Sequence, residues 1–255
     1  MNNSLCLSAG MASLFAAATV SAQVAVTEVW PGGLPGEEST ADWIEITNLG
    51  PTDFSAFDEL LFRTNGIPST VPDGIAVPGG IFEGVASLAP GESAVFLTAY
   101  DADAYDPLTQ TFYNAATAAE AIDAFRAVWG SAVDAVQVGY IEATFGGPGD
   151  GLDQNGETVF LFQGTLFETG SVTLIDQATY PQSNLASWEF EGPASVFGAL
   201  SVSGVAGAFT GVLPANAQPG PIEGLPPVGS PGVFVPEPVS AVALAPLLIA
   251  LRRRR

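Results

Sequence analysis

Val24-Ala25-Val26-Thr27-Glu28-Val29-Trp30 and Asp42-Trp43-Ile44-Glu45-Ile46-Thr47-Asn48 decide the fold. Both alternate in the two-residue rhythm of a strand, and both are rich in β-branched and aromatic residues. In the second, Trp43, Glu45 and Thr47 share one face while Ile44 and Ile46 share the other. Pro31-Gly32-Gly33 closes the first, and Asn48-Leu49-Gly50-Pro51 turns the chain after the second.

The same grammar continues outward. Phe57 to Phe62 is an apolar run, and Ala89-Pro90-Gly91-Glu92 turns into Ser93-Ala94-Val95-Phe96-Leu97, which reads as a buried strand. Val136 to Tyr140, Glu157 to Gln163, Val172 to Tyr180 and Trp188 to Phe190 are further short strands separated by Gly-rich turns. One stretch breaks the pattern. Ala115 to Trp129 is rich in Ala, spaces Ala118, Ile122, Phe125 and Val128 as a helix does, and ends at Gly130, which can cap it. Many short strands with one inserted helix predict a mainly β fold, an immunoglobulin-like β-sandwich.

Composition bounds what such a fold can do. Its 255 residues include no Lys and no His, and the only Cys is Cys6, near the amino terminus. A Ser/His/Asp triad, a Cys nucleophile and a Cys/His zinc cluster are therefore excluded from the body. Between Glu28 and Glu223 stand 26 acidic side chains against Arg63 and Arg126, a net charge near −24. Nucleic acid and anionic lipid are poor partners for that surface. A hydrophobic content of 47%, with 16 Phe and 4 Trp, nevertheless supplies a core, so the charge does not imply disorder.

Two carboxylate chemistries survive this inventory: a glycosidase-type acid pair and an all-oxygen metal site. Asp101, Asp103 and Asp106 place three carboxylates within six residues, as Ca²⁺ prefers, and Asp150 to Glu157 is a second acidic turn. Neither has EF-hand spacing, and solvated turns built from Asp, Asn and Gly explain both without an ion. No residue is assigned a catalytic role, no metal ligand is assigned, and no cofactor is expected beyond that Ca²⁺ alternative. Trp30, Trp43, Trp129 and Trp188 offer a sugar-stacking surface as one reading and core packing as the other.

The ends carry an address. Met11 to Val20 is apolar and small, and Val20-Ser21-Ala22 precedes Gln23 as a signal-peptidase site would, giving a signal peptide over residues 1–22 with cleavage between Ala22 and Gln23. Export through the general secretory machinery follows. Residues 23–213 form the β body, and 214–235 read as a Pro/Gly linker. Residues 236–255 comprise Pro236-Glu237-Pro238, the apolar run Val239 to Leu251, and Arg252-Arg253-Arg254-Arg255. Thirteen residues of helix reach about 20 Å, short of the ~30 Å hydrocarbon core, and the arginines hold that end on the cytoplasmic side.

That tripeptide, apolar segment and Arg-rich end resemble the PEP-CTERM sorting signal of Gram-negative bacteria. The resemblance implies an exosortase as partner, transient insertion in the inner membrane, removal of the tail, and delivery to the cell surface or an exopolysaccharide-containing biofilm matrix. The body resembles the lamin-tail domain. Val26-Thr27-Glu28-Val29 and Asp42 to Asn48 resemble its opening strands, and Leu88 to Glu92 before Val95-Phe96-Leu97 its proline-glycine step. Ala124 to Gly130 resembles its short helix, Leu152 to Leu161 its hairpin, Ile175 to Tyr180 the next strand, and Gln218-Pro219-Gly220 its closing turn. That family implies an immunoglobulin-like sandwich serving attachment or display. The expectation is thus an exported, non-enzymatic surface or matrix protein. A Ca²⁺-dependent or carbohydrate-binding adhesin is the first alternative, and a carboxylate-based glycoside hydrolase the second.

Overall fold

The computed structural model describes residues 24–31, 42–64, 79–98, 115–144, 152–153, 155–164, 173–182, 186–190, 198–212 and 226–233. They are mainly β. Strands β1 (Val24–Trp30), β2 (Asp42–Asn48), β3 (Leu60–Arg63), β4 (Gly79–Glu83) and β5 (Ser93–Thr98) precede helix α1 (Ala115–Trp129). After it come β6 (Gln137–Thr144), β7 (Gly156–Gln163), β8 (Thr173–Pro181) and the short pairs β9 (Trp188–Glu189), β10 (Ala199–Leu200), β11 (Phe209–Thr210) and β12 (Val228–Gly229).

Ten of these strands form one sheet in the order β10-β9-β1-β2-β5-β6-β4-β3-β7-β8, and β11 pairs with β12 alone. All ladder pairs are antiparallel except β5 with β6, which run parallel. Helix α1 supplies the crossover that a parallel pair needs, because no tight hairpin can return the chain to the same end of the sheet. Gly130 ends it at φ +65, the left-handed position glycine takes at no steric cost.

The sheet curls until β8 lies against β1. There Asp176 Oδ2 accepts the Val26 N–H at 2.9 Å, across 150 residues of chain. Inside the curl, Val24, Val26, Val29, Ile44, Ile46, Phe62, Phe82, Phe96, Leu161 and Tyr180 pack into one apolar cluster. Asp176→Ala leaves a buried amide without its acceptor, an expected loss of about 1 to 3 kcal/mol. Urea denaturation checks this, and an unchanged midpoint would show that the bond adds nothing to the curl.

On the opposite face of β1, β2 and β5, helix α1 covers a second cluster. Trp30, Trp43, Val95 and Leu97 from the sheet meet Phe125, Val128 and Trp129 from the helix. Trp43 stands 5.8 Å from Trp129 and 6.1 Å from Phe125, edge to face, and 6.4 Å from Trp30, stacked. Three of the four tryptophans are therefore fully buried core, and Trp188 is half-buried against the first cluster. This placement removes Trp30, Trp43 and Trp129 from any exposed sugar platform.

Composition alone marks 214–235 as a linker, yet its last described residues belong to the fold. Pro227, Gly229, Ser230 and Pro231 are buried, and β12 pairs with β11. A Pro/Gly strand lacks bulk of its own but fits where a bulkier chain cannot. A Cβ on Gly229 would stand 3.0 Å from both Ser187 Oγ and the Trp129 ring, and one on Gly232 would collide with Val136. Residues 226–233 thus form a strap across the helix-covered face.

Candidate functional site: a buried carboxylate row

A regular strand from Val24 onward would turn Glu28 toward the same side as Val24 and Val26, into the apolar core. A β-bulge at Thr27 prevents this. The ladder pairs Val26 with Ile46 and then Glu28 with Glu45, so the extra residue shifts Glu28 and Trp30 to the side of Glu45 and Trp43. On the other edge of β1, Glu28 is the register partner of Glu189 in β9. Glu189, Glu28 and Glu45 therefore form a row across three adjacent strands, where side chains stand about 5 Å apart at their Cβ atoms.

Glu28 and Glu45 are each 1% exposed. Around them lies a hydroxyl network rather than cations. Thr27 Oγ1 donates to Glu45 Oε1 at 2.6 Å and is 2.6 Å from Thr47 Oγ1, which is 2.7 Å from Ser93 Oγ. Ser187 Oγ donates to Glu28 Oε1 and is 2.7 Å from Ser201 Oγ, which donates to Glu189 Oε1 at 2.6 Å. The strap closes the site from above. Its Ser230 N–H donates to Glu28 Oε1 at 2.8 Å, and its Gly232 N–H donates to Glu45 Oε2 at 2.6 Å. Glu28 Oε2 is buried and has no hydrogen-bond partner among the described residues.

Two buried acids side by side, with no counter-cation beside them among the described residues, disfavour ionisation. Burial pushes Glu28 well above the ordinary carboxylate range, and the neighbouring Glu45 adds to it, against the bonds from Ser187 and Ser230. Burial pushes Glu45 up to about 7, against the bonds from Thr27, Gly232, Ser93 and Thr47. Among the described residues no group of three or more His, Cys, Asp or Glu is arranged to hold a metal ion.

A second acidic cluster lies at the entry of β2. Asp42 Oδ2 accepts the Leu152 N–H at 2.6 Å, and its carboxyl is pushed up to about 8 by burial, with the Glu157 carboxylate adding to it. Glu157 Oε1 accepts from Tyr180 Oη at 2.9 Å and from the Asp153 N–H at 2.7 Å. Asp153 folds its own turn, accepting the Asn155 N–H at 2.8 Å. The acidic stretch at Asp153 to Glu157 accordingly uses its carboxylates to shape the β7 turn.

A pair of buried acids is the feature that separates a glycosidase from a binding module in this sequence. The pair exists, at Glu28 and Glu45, but it lies beneath the strap, with Glu28 Oε1 and both oxygens of Glu45 accepting from the chain's own donors. The sequence does not single out Glu28, and alternation puts Glu45 only on the face shared by Trp43 and Thr47. The available signal was an acid flanked by Thr in each of two otherwise apolar strands. Asp101, Asp103 and Asp106 lie outside the described residues. So do Ala22, Gln23, Pro236, Glu237, Pro238 and Arg252 to Arg255. No helix among the described residues is long and apolar enough to cross a membrane. No family model, curated protein or solved structure matches this chain.

Proposed function

We propose that this is an exported, non-enzymatic protein of the cell surface or extracellular matrix, sorted through its C-terminal PEP-CTERM-like signal. The observation that carries the reading is the ordered set Pro236-Glu237-Pro238, Val239 to Leu251 and Arg252 to Arg255 at the carboxyl end, with Met11 to Gln23 as its export counterpart. The tripeptide is read at the outer face of the inner membrane while the arginines hold the end inside. An exosortase then removes the apolar tail.

For the body we propose a lamin-tail-like, immunoglobulin-like sandwich used for attachment or display. Support comes from the single apolar cluster to which β1, β2, β3, β5, β7 and β8 all contribute, as facing layers of one curled sheet do. The non-enzymatic reading is supported by the absence of His and Lys from the sequence and by the burial of the Glu28–Glu45 pair.

Glu237→Ala is expected to leave the protein in the membrane fraction at full length, whereas the unaltered chain loses its tail. Intact mass of the protein from its native host checks this. A mature chain that still carries Arg255 would sink the sorting reading.

A further inference from the structure

We infer that Glu28 and Ser187 condense to an internal ester, a bond from Glu28 Cδ to Ser187 Oγ that ties β1 to the start of β9 beneath the strap. Its formation needs no part of the sorting function proposed above.

The parts of an acyl-transfer site surround this contact. Ser187 Oγ is hydrogen-bonded to Glu28 Oε1, one bond from the carbon it attacks. On its far side it is 2.7 Å from Ser201 Oγ, which donates to Glu189 Oε1 at 2.6 Å. The Ser187 hydrogen can therefore turn to Ser201, and a two-hydroxyl relay leads it to a carboxylate. The Ser230 N–H donates to Glu28 Oε1 at 2.8 Å, where negative charge develops as the nucleophile adds. Glu28 Oε2 is the oxygen that leaves. It is buried and has no hydrogen-bond partner among the described residues, so no donor there holds it in place.

Only the neutral acid can lose water, and Glu28 is set to be neutral. It is 1% exposed, the equally buried Glu45 is its ladder partner, and no cation stands beside it among the described residues. Ser187 Oγ adds to Cδ while its proton passes through Ser201 to Glu189. Glu45 then gives a proton to Oε2, which departs as water as the carbonyl re-forms. Half-buried Glu189 yields its proton to solvent and Glu45 regains one. One acid and one alcohol thus become one ester and one water, with no co-reactant.

The other close acid–hydroxyl contacts of the row each lack a part. Thr27 Oγ1 meets Glu45 Oε1 at 2.6 Å, but its neighbours Thr47 and Ser93 are hydroxyls that lead back to Glu45 itself. Ser201 meets Glu189, whose partial exposure lets water compete for that carbon. The Glu28 contact is sealed. Gly229 seats over it so closely that a Cβ there would stand 3.0 Å from Ser187 Oγ and 3.1 Å from Glu28 Oε1. Water that would hydrolyse the ester is kept out by the strap. Because the body has no Cys, it has no disulfide to close a long loop, and an ester across 159 residues supplies that closure.

Trypsin digestion of the unfolded full-length chain tests this, because the chain has no Lys and its only Arg residues are Arg63, Arg126 and Arg252 to Arg255. Glu28 then lies on the fragment ending at Arg63, and Ser187 on the fragment beginning at Ala127. The two are expected to run joined in most molecules, one water lighter than their sum. Hydroxylamine should part them and leave a hydroxamate at Glu28, and tandem mass spectrometry places the bond. Ser187→Ala should give separate fragments from a chain whose near-ultraviolet circular dichroism is unchanged. In pulse-labelled chain, Glu189→Gln should slow the appearance of the joined species by about a hundredfold. Separate fragments of unaltered mass from the folded wild-type protein overturn the ester, whatever the variants do. A joined species that survives Ser187→Ala also overturns it, and joining of Glu189→Gln at the wild-type rate overturns the relay.

Discussion

Trp43→Ala is expected to remove about 3 to 5 kcal/mol of stability, the range for truncating a large aromatic side chain in a packed interior. Trp43 has no exposed surface, and it meets the rings of Trp30, Phe125 and Trp129, which join helix to sheet. Trp129 in turn meets Phe209 at 5.6 Å and forms the wall against which Gly229 rests. Loss of Trp43 therefore loosens helix and strap together. For a domain of this size the melting temperature should drop by roughly 10 °C. Trp43→Phe is the instructive companion. It keeps a ring in the cluster and deletes an indole N–H that has no hydrogen-bond partner among the described residues, so it should cost well under half as much. Thermal unfolding followed by near-ultraviolet circular dichroism reads both. A loss of less than about 1 kcal/mol for Trp43→Ala would mean that this cluster is not a core.

Local signals in the sequence carried most of the elements. The strand at 24–30 and the helix at 115–129 lie where their periodicity places them, and Ile44 and Ile46 face away from Trp43 and Glu45 as alternation requires. Phe57 to Phe62 was legible as apolar but not as two elements. Its first half is a short 3-10 helix at Phe57–Glu59, and only Leu60 onward joins the sheet. Sheet order was not legible at all, because the parallel β5–β6 pair and the closure of β8 on β1 join residues far apart in sequence.

The candidate site escaped for a more specific reason. Alternation predicts a side for every residue only while the register is continuous, and one extra residue reverses every later assignment. The bulge at Thr27 is such an interruption. It is stabilised by contacts that local sequence does not encode: the Thr27 hydroxyl reaches Glu45 and Thr47 on the next strand. The strap was hidden by the opposite error. Pro and Gly signal a chain that resists regular structure, and here the lack of Cβ atoms is what admits residues 229 and 232 against Trp129 and Val136.

Close approach of this kind is put to its hardest test at Gly139→Ala. Gly139 sits in β6, between β5 on one side and β4 on the other. A Cβ there would run into the Glu83 carbonyl oxygen and stand 2.8 Å from the Phe96 ring. The carbonyl is backbone and cannot rotate away, and Phe96 is fully buried in the cluster inside the curl, 4.8 Å from Phe82. A single methyl group must therefore push two strands apart. The expected loss is about 3 kcal/mol or more, at or beyond the upper end for overpacked cores. Gly91→Ala is the control, since Gly91 has the left-handed φ of +77 but open space around its missing side chain. It should lose only the conformational penalty, about 1 to 2 kcal/mol. If chemical denaturation ranks the pair the other way round, backbone conformation rather than the packing of β5 against β6 limits this fold.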